Sequence, residues 1–214
     1  MIRADAGDIR RSYDAAARRA RGDADRAKTR DRIVSAAQEL FIANGYRATS
    51  MAAIAAAAGV SSQTIYLAIG SKAAVLQSVS DRVILGGEAA AVADLGWVHR
   101  LAAEDDPHAQ LRILVTELVS LAERAAPIWR VTQQAAAEEP ELAAAWRRHE
   151  EGRLADQRAL VGLVRGLAVS PERATDIIHG FLRPDLWQVF GIERGWTRDE
   201  VEELALDLLA HLLL

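Results

Sequence analysis

The chain has 214 residues, half of them hydrophobic, and it contains no cysteine. A chain of this size can bury a sizeable core, either as one compact domain or as a small domain joined to a larger one. Without cysteine it has no disulfide framework and no thiolate metal site, which fits a reducing compartment. No apolar run approaches the roughly eighteen residues that span a bilayer, and no signal-peptide core is present at the N-terminus, so we expect a cytoplasmic protein.

Charge is distributed unevenly along the chain. Residues 1–80 carry 12 Lys and Arg against 7 Asp and Glu, whereas residues 81–214 carry 14 against 23. The overall charge of −4 therefore combines a first part of +5 with a remainder of −9. This asymmetry is typical of a protein that places its basic part on phosphate.

Residues 1–28 are an extension rich in Ala, Arg and Asp, with glycine at positions 7 and 22. The segment has too few large apolar side chains to dock firmly, so we expect it to be partly disordered or helical. A second interpretation is an arm whose basic side chains follow a DNA backbone or enter the minor groove. The basic residues concerned are Arg26, Lys28 and Arg30.

Two helices are predicted next, over residues 30–44 and 51–58. The first has an amphipathic stripe with helical spacing, formed by Ile33, Ala36, Ala37, Leu40 and Phe41. Gly45 can adopt a positive φ and end this helix. Thr49 or Ser50 can cap the second helix, whose alanines allow a neighbouring helix to cross it closely.

A short third helix follows after Gly59, with Ser61 or Ser62 as its N-cap. The few residues between the second and third helices are typical of a helix-turn-helix. We expect Val60 and Ile65 to face the core. The outer face is then formed by Ser62, Gln63, Thr64 and Tyr66.

These outward side chains have the chemistry of groove readers. A Gln can bond adenine N6 and N7 together, Ser or Thr can bond base edges or contact a thymine methyl, and a Tyr hydroxyl can bond a phosphate. Ser71 and Lys72 open a fourth helix, whose N-terminal amides and Lys ammonium predict a phosphate site. The DNA-binding residues predicted in this way are Thr49, Ser50, Ser61, Ser62, Gln63, Thr64, Tyr66 and Lys72.

Residues 29–76 resemble the DNA-binding domain of TetR-family transcriptional regulators. The matching positions are Ile33, Ala36, Ala37, Leu40, Phe41, Gly45, Tyr46, Thr49, Ile54, Ala55, Ala58, Gly59, Val60, Ser61, Thr64, Tyr66 and Lys72. One departure affects local packing, because Ala68 and Ile69 stand where the family usually has an aromatic pair. The resemblance implies an all-α fold, with a three-helix helix-turn-helix DNA-binding domain at residues 29–75 and a helical effector-binding and dimerisation domain at residues 76–214. The alternative is a helical scaffold that binds no nucleic acid.

The rest of the chain predicts further helices, with neither a strand pattern nor a Gly-rich nucleotide motif. The fourth helix is expected to weaken at the glycines at positions 86 and 87, and residues 94–107 are expected to form a connector anchored by Trp97. Pro127 is expected to begin one helix, and Pro140 another that runs to about residue 167. Ser170 with Pro171, and a capping box of Thr197 with Glu200, predict the starts of the last two helices.

The last two helices carry more apolar surface than one small bundle needs. The resemblance implies that they pair with a second copy in a two-fold dimer, which would present two recognition helices to a palindromic operator. The predicted interface residues are Ile178, Phe181, Trp187, Leu204, Leu208 and Leu212. Pro184 is expected to kink or interrupt the penultimate helix.

The helix that begins at Pro140 carries three polar residues in its apolar stripe, namely His149, Arg153 and Asp156. Unpaired burial would be costly. One interpretation is an internal network in which Asp156 or another nearby carboxylate satisfies the other two, or a solvent-facing waist. The other is a pocket for a flat or partly anionic small-molecule effector, lined by Trp129, Gln133, Trp146, His149, Arg153 and His179.

An enzyme is the competing class of protein. The five histidines are scattered and no nucleophile motif accompanies them, and Asp105, Asp106 and His108 look like the cap of the helix at Pro107. We expect no catalytic residues, no metal and no cofactor. The predicted function is a homodimeric regulator that represses by binding double-stranded operator DNA and is released by a small-molecule effector. The alternative is a helical small-molecule- or protein-binding module with secondary or no DNA binding.

Overall fold

The computed structural model describes the backbone of residues 6–85 and 91–214 and the side chains of residues 21–83 and 91–214. Most of these residues are helical and none lies in a β-strand, as the sequence predicts. They divide into two compact units, Met1–Val75 and Leu76–Leu214. Within the described part of the chain no single helix is long and apolar enough to cross a membrane, although the bent pair Met51–Ala58 and Ser62–Ala68 passes the same test when taken together.

The first unit consists of α1 (Ala6–Ala48), α2 (Met51–Ala58), α3 (Ser62–Ala68) and the first residues of α4 (Lys72–Leu85). The helix α1 begins at Ala6 rather than near residue 30 and continues through Gly22. An interior glycine destabilises a helix by only about 0.5–1 kcal/mol relative to alanine, so it does not have to end one. Gly45 interrupts α1 with a φ of 79° and a ψ of 170°, which explains why glycine stands there.

The core of the first unit lies where α1, α2 and α3 meet. Its fully buried members include Ile33, Phe41, Ile54 and Ile65. The alanines of α2 that face inward are buried as well, so the helices approach each other closely. Each helix of the helix-turn-helix is therefore held by a large aliphatic anchor on its inner face.

The second unit contains the rest of α4 and six further α-helices. They are α5 (Gly96–Ala103), α6 (Pro107–Glu138), α7 (Pro140–Val161), α8 (Pro171–Phe181), α9 (Pro184–Trp187) and α10 (Arg198–Leu213). A 3-10 turn at Val92–Asp94 precedes α5, and a π-helical segment, Gln188–Glu193, follows α9. The glycines at positions 86 and 87 lie outside the described residues.

Three expectations about this unit are wrong. The expected connector contains α5, whose Val98 and Leu101 are buried in the core. Pro127 lies inside α6 instead of beginning a helix. An interior proline costs about 3 kcal/mol or more, but both of its neighbours are buried, and this tertiary packing keeps α6 continuous.

The third wrong expectation is the end of α7, which stops at Val161 instead of near residue 167. The side chain of the fully buried Gln110 holds the segment that follows. Its Nε2 donates to the carbonyl oxygens of Leu101 at 3.0 Å and Leu163 at 2.8 Å, and its Oε1 accepts from the backbone N–H of Arg165 at 2.7 Å. The bonds to Leu163 and Arg165 satisfy backbone groups that a longer α7 would have paired internally, and the bond to Leu101 ties this segment to the end of α5.

The caps of the last helices are confirmed. Ser170 Oγ accepts from the backbone N–H of Arg173 at the start of α8. Thr197 and Glu200 form the capping box of α10. Pro184 interrupts the penultimate helix, as expected, because α8 ends at Phe181 and Pro184 begins the separate helix α9.

Candidate DNA-binding surface and polar cluster of the second unit

The start of α3 is held by its own polar side chains. Ser61 Oγ accepts from the backbone N–H of Thr64 at 3.1 Å and lies 2.8 Å from Thr64 Oγ1. Ser62 is half-buried. Two of the predicted DNA-binding residues, Ser61 and Thr64, are therefore engaged in the N-terminal cap of α3, which stabilises the helix.

The outward face of α3 is formed by Gln63, Tyr66 and Leu67. Gln63 is exposed, Tyr66 is 56 % exposed and Leu67 is 81 % exposed. The three residues are spaced i, i+3 and i+4, so they share one face of the helix, opposite the buried Ile65. This face combines an amide, a phenol and an aliphatic side chain.

Sequence reasoning missed Leu67. A leucine beside a core isoleucine reads as another core residue when hydrophobicity alone is considered. The helical spacing from Gln63 was the signal that could have placed it on the outer face.

Thr49 is not a DNA-contacting side chain, contrary to the prediction. It is only 1 % exposed, and its Oγ1 donates within the first unit to the carbonyl oxygens of Leu40 and Gly45, at 3.1 and 2.8 Å. It therefore closes the turn that follows Gly45. Ser50 is exposed and caps α2, where its Oγ accepts from the backbone N–H of Ala53 at 3.1 Å.

Lys72 lies in the first turn of α4, where Ser71 Oγ caps the helix by accepting from the backbone N–H of Ala74 at 3.2 Å. The Lys72 ammonium lies 4.1 Å from the centroid of the Tyr46 ring. A cation–π contact of this kind places the positive charge at the N-terminal end of α4. The same end carries the positive pole of the helix dipole.

Arg30 contacts the recognition helix itself. Its Nη1 donates to the carbonyl oxygen of Ala68 at 3.1 Å, and Ala68 is the last residue of α3. The guanidinium thus caps one of the carbonyls that a helix C-terminus leaves without an internal partner. That Arg26, Lys28 and Arg30 contact DNA stays a prediction.

In the second unit, five of the six predicted effector residues lie in one cluster. The ring centroids of Trp129 and Trp146 are 4.4 Å apart, and His149 lies 5.9 Å from each of them. Arg153 stacks on the Trp129 ring, with its Cζ 5.6 Å from the centroid. Arg153 Nη2 also lies 2.9 Å from His179 Nε2.

Gln133 is the predicted effector residue that does not join the cluster, because it is exposed on α6. Asp156 is also exposed, so it does not lie in the buried stripe where the sequence placed it. The buried polar residue of that turn is its neighbour Gln157. A one-residue shift moves a side chain by about 100° around a helix, since a turn takes about 3.6 residues.

The cluster contains an internal hydrogen-bond network, as one of the two interpretations predicts, but its carboxylate is Glu150. Arg153 forms an ion pair with Glu150 at 3.3 Å. His179 Nδ1 lies 2.7 Å from Gln157 Oε1, which can only accept, so Nδ1 carries the hydrogen and Nε2 accepts from Arg153. His179 is therefore held as the neutral imidazole.

Burial shifts the ionisation of this cluster. Desolvation lowers the pKa of His149, and the nearby Glu150 opposes this shift. Desolvation and then the positive charge of Arg153 lower the pKa of His179. Desolvation also lowers the pKa of Arg153, while Glu150 raises it. The cluster thus favours neutral histidines beside a buried cation.

The predicted dimer-interface residues divide into three groups. Ile178 is buried in the core of its own unit, so its prediction as an interface residue is wrong. Phe181 and Trp187 are half-buried against that core. On α10, Leu208 and Leu212 are 42 % and 49 % exposed and follow the half-buried Leu204 at helical spacing.

The acidic loop before α6 is a helix cap. Asp106 accepts from the backbone N–H groups of His108 and Ala109 at 3.3 and 3.1 Å. No group of three or more His, Asp or Glu in the described ranges could hold a metal ion.

The exposed face of α3, the helix-turn-helix that carries it and the helical second unit define a DNA-binding transcriptional regulator. Residues 33–79 match the family described as bacterial regulatory proteins, tetR family. No curated protein sequence matches the chain. The matched segment contains the helix-turn-helix, so the chain is similar to that family in its DNA-binding part.

Solved structures with the same fold include NalD, the secondary repressor of the MexAB-OprM multidrug efflux pump in Pseudomonas aeruginosa. It is 27 % identical, with a TM-score of 0.67, and the alignment covers 89 % of this chain and 98 % of NalD. A putative TetR-family regulator from Mesorhizobium loti is 23 % identical, with a TM-score of 0.64 over 88 % and 98 % of the two chains. The regulator FadR from Bacillus subtilis, solved with stearoyl-CoA, is 20 % identical, with a TM-score of 0.61 over 83 % and 96 %.

Proposed function

We propose that the protein is a homodimeric repressor that binds a palindromic operator through α3 and is released by a small-molecule effector bound in the second unit. The observation that carries this proposal is the outward face of α3, where Gln63, Tyr66 and Leu67 project from a helix anchored by Ile65. NalD, which has the same fold, is a repressor. Because operators lie in the bacterial cytoplasm, the protein would act there.

Each exposed side chain of α3 has a separate role in this proposal. Gln63 reads an adenine through N6 and N7, and Leu67 contacts a thymine methyl. Tyr66 and Lys72 bind phosphates, together with the N-terminal amides of α4. Ser50, at the start of α2, supplies a further hydroxyl for the backbone.

The apolar stripe of α10 supports a dimer. Leu204, Leu208 and Leu212 form a stripe beside the core face of the same helix, about 80° around the helix axis from it. Burying this stripe against its symmetry copy would remove apolar surface from water, at about 25 cal/mol per Å². A two-fold dimer presents two copies of α3, so a palindromic operator is the matching DNA.

Release by an effector follows from a shift in population. Helix α4 begins in the first unit and ends in the second, so a change in its position affects both. An effector that binds one conformation of the second unit more tightly shifts the protein toward it. A coupling free energy of about 1–3 kcal/mol would weaken DNA binding about 5–150-fold.

The test is selection from a random double-stranded DNA pool on the purified full-length protein, followed by affinity measurements on the selected sequence. We expect a palindrome, with preference lost at one base pair of each half-site in Gln63→Ala. Gln133→Ala, an exposed glutamine of the second unit, is the matched control and should bind like the wild type. Failure to enrich any sequence would contradict operator binding and favour the alternative, a helical small-molecule- or protein-binding module.

A further inference from the structure

Two arginine side chains converge on one indole in the second unit. The Cζ atoms of Arg153 and Arg183 lie 5.6 and 5.3 Å from the centroid of the Trp129 ring. Their side chains are only 14 % and 29 % exposed. The arginines come from different elements, since Arg153 lies on α7 and Arg183 precedes α9. The fold thus brings two like charges together in a partly desolvated place.

These two guanidinium groups share the carboxylate of Glu150. Its Oε1 and Oε2 accept from Arg153 Nε and Nη2, each at 3.3 Å, and Oε2 also accepts from Arg183 Nη1 at 3.4 Å. Charge-assisted hydrogen bonds of this type are normally about 2.7–2.9 Å long. The bonds to Glu150 are therefore long, and the carboxylate compensates both arginines incompletely.

Among the contacts of the described residues, no carboxylate other than Glu150 bridges the two arginines. Arg153 otherwise contacts neutral groups, namely His179 and the side-chain oxygen of Gln157. Arg183 Nε donates to Asp185 at 3.1 Å, and the same oxygen of Asp185 accepts from Trp129 Nε1 at 3.2 Å. Asp185 is thus shared between an arginine and an indole.

An aromatic surface lies beside this pair of arginines. Trp146 lies edge-on to Trp129, at an interplanar angle of 62°. Trp146, His149 and Glu150 are half-buried, so this side of the cluster is partly exposed to solvent, whereas Trp129 is buried. Flat rings gain from stacking and edge contacts with indole, beyond the area that they bury.

We propose that this cluster binds a small aromatic carboxylate, which takes the place of the Glu150 side chain between Arg153 and Arg183 and lays its ring against Trp146. Glu150 occupies the position of the ligand's carboxylate when no ligand is bound. A free carboxylate is not tethered to α7, so it can approach the guanidinium groups at about 2.7–2.9 Å, closer than Glu150 does. That this ligand acts as the effector rests on the proposed function, whereas its binding does not.

The direct test is isothermal titration calorimetry of the full-length protein. The probes are benzoate and 2-naphthoate, their uncharged amides, and inorganic phosphate. We expect each carboxylate to bind at least about tenfold more tightly than its amide, because the uncharged amide cannot form an ion pair with the arginines. A tenfold difference in Kd corresponds to about 1.4 kcal/mol. We expect 2-naphthoate to bind more tightly than phosphate, which lacks a ring.

Variants of the cluster separate displacement of Glu150 from non-specific anion binding. Glu150→Gln removes the resident carboxylate, so 2-naphthoate should bind about 3–10-fold more tightly than to the wild type. Arg153→Gln should abolish the preference for the acid over the amide. Glu151→Gln, which changes an exposed neighbour on the same helix, is the matched control and should leave both affinities unchanged.

The proposal is overturned by equal affinity for acids and amides, by affinity for phosphate equal to that for 2-naphthoate, or by weaker binding of 2-naphthoate to Glu150→Gln with its thermal unfolding intact. If Glu150→Gln is unfolded without ligand, Arg183→Gln replaces it, and retention of the full acid preference there overturns the proposal. Operator affinity with and without 2-naphthoate is a separate measurement. Binding without release would contradict the effector mechanism while supporting the site.

Discussion

Leu67 is expected to read a thymine methyl, although it is an aliphatic residue on an otherwise polar surface. With 81 % of the residue exposed, nearly the whole side chain is available for burial in the major groove. Complete burial of a leucine side chain is worth about 1.5–3 kcal/mol. Leu67→Ala retains the Cβ, so we expect a loss of about 1–2 kcal/mol, or about 5–30-fold in Kd.

The thymine methyl provides a second perturbation from the DNA side. Replacing one thymine by deoxyuridine removes a single methyl, which is worth about 0.8 kcal/mol, or about fourfold in Kd. We expect one thymine of each half-site to show this loss with the wild-type protein. With Leu67→Ala the same replacement should have no effect, because the contacting atoms are gone.

Fluorescence anisotropy at one fixed salt concentration gives the Kd of the wild type and of Leu67→Ala, each for the selected operator and for its deoxyuridine form. Ile42→Ala, at another exposed large aliphatic residue among the described side chains of the first unit, is the matched control and should bind with wild-type affinity. The reasoning is refuted if no thymine replacement weakens wild-type binding. It is also refuted if replacing each thymine weakens operator binding by the same factor for Leu67→Ala as for the wild type.

Three other predictions concern salt, stability and pH. Lys72→Ala should reduce the slope of log affinity against log salt by about one, the value of one phosphate contact. Arg30→Met, which removes the bond to Ala68, should weaken DNA binding at an unchanged slope. A reduced slope for Arg30→Met would show that its guanidinium contacts DNA instead. Gln110→Met removes the side-chain partner of three backbone groups and should lower the free energy of unfolding by about 2–4 kcal/mol in urea titrations. Gln134→Met, at an exposed glutamine of α6, is the control that should change little. His149 has a pKa below its ordinary 6.5 in the folded state, so the unfolded chain takes up the proton first and stability should fall as the pH drops below about 6.5. In melting curves from pH 8 to 5, His149→Gln should lose less stability than the wild type, and an identical loss would show that another group titrates.

The sequence determined the features that depend on neighbours along the chain. Gly45, with its positive φ, Ser61 as the cap of α3 and the capping box of Thr197 and Glu200 were all recognisable from local spacing. Such features arise from backbone dihedrals and from hydrogen bonds within about one turn. The same local pattern supported the family resemblance, because a helix-turn-helix is compact in sequence.

Only the tertiary structure decided which polar residues are structural and which are exposed. Thr49 matches the family pattern, but its hydroxyl is used in a buried turn. Pro127 remains inside α6 because packing on both sides outweighs the cost of an interior proline. Leu67 faces outward because α3 is anchored by Ile65.

The contacts in the polar cluster of the second unit also could not be predicted from local sequence patterns, because its members are far apart in the chain. Helical spacing identified His149 and Arg153 as unusual, but Glu150, Arg183 and Asp185 entered the network only through the fold. Trp129 and Asp185 are 56 positions apart, and no local pattern encodes such a pair. Helices and caps are specified by short-range interactions, whereas partners in a buried network are chosen by how several helices pack together.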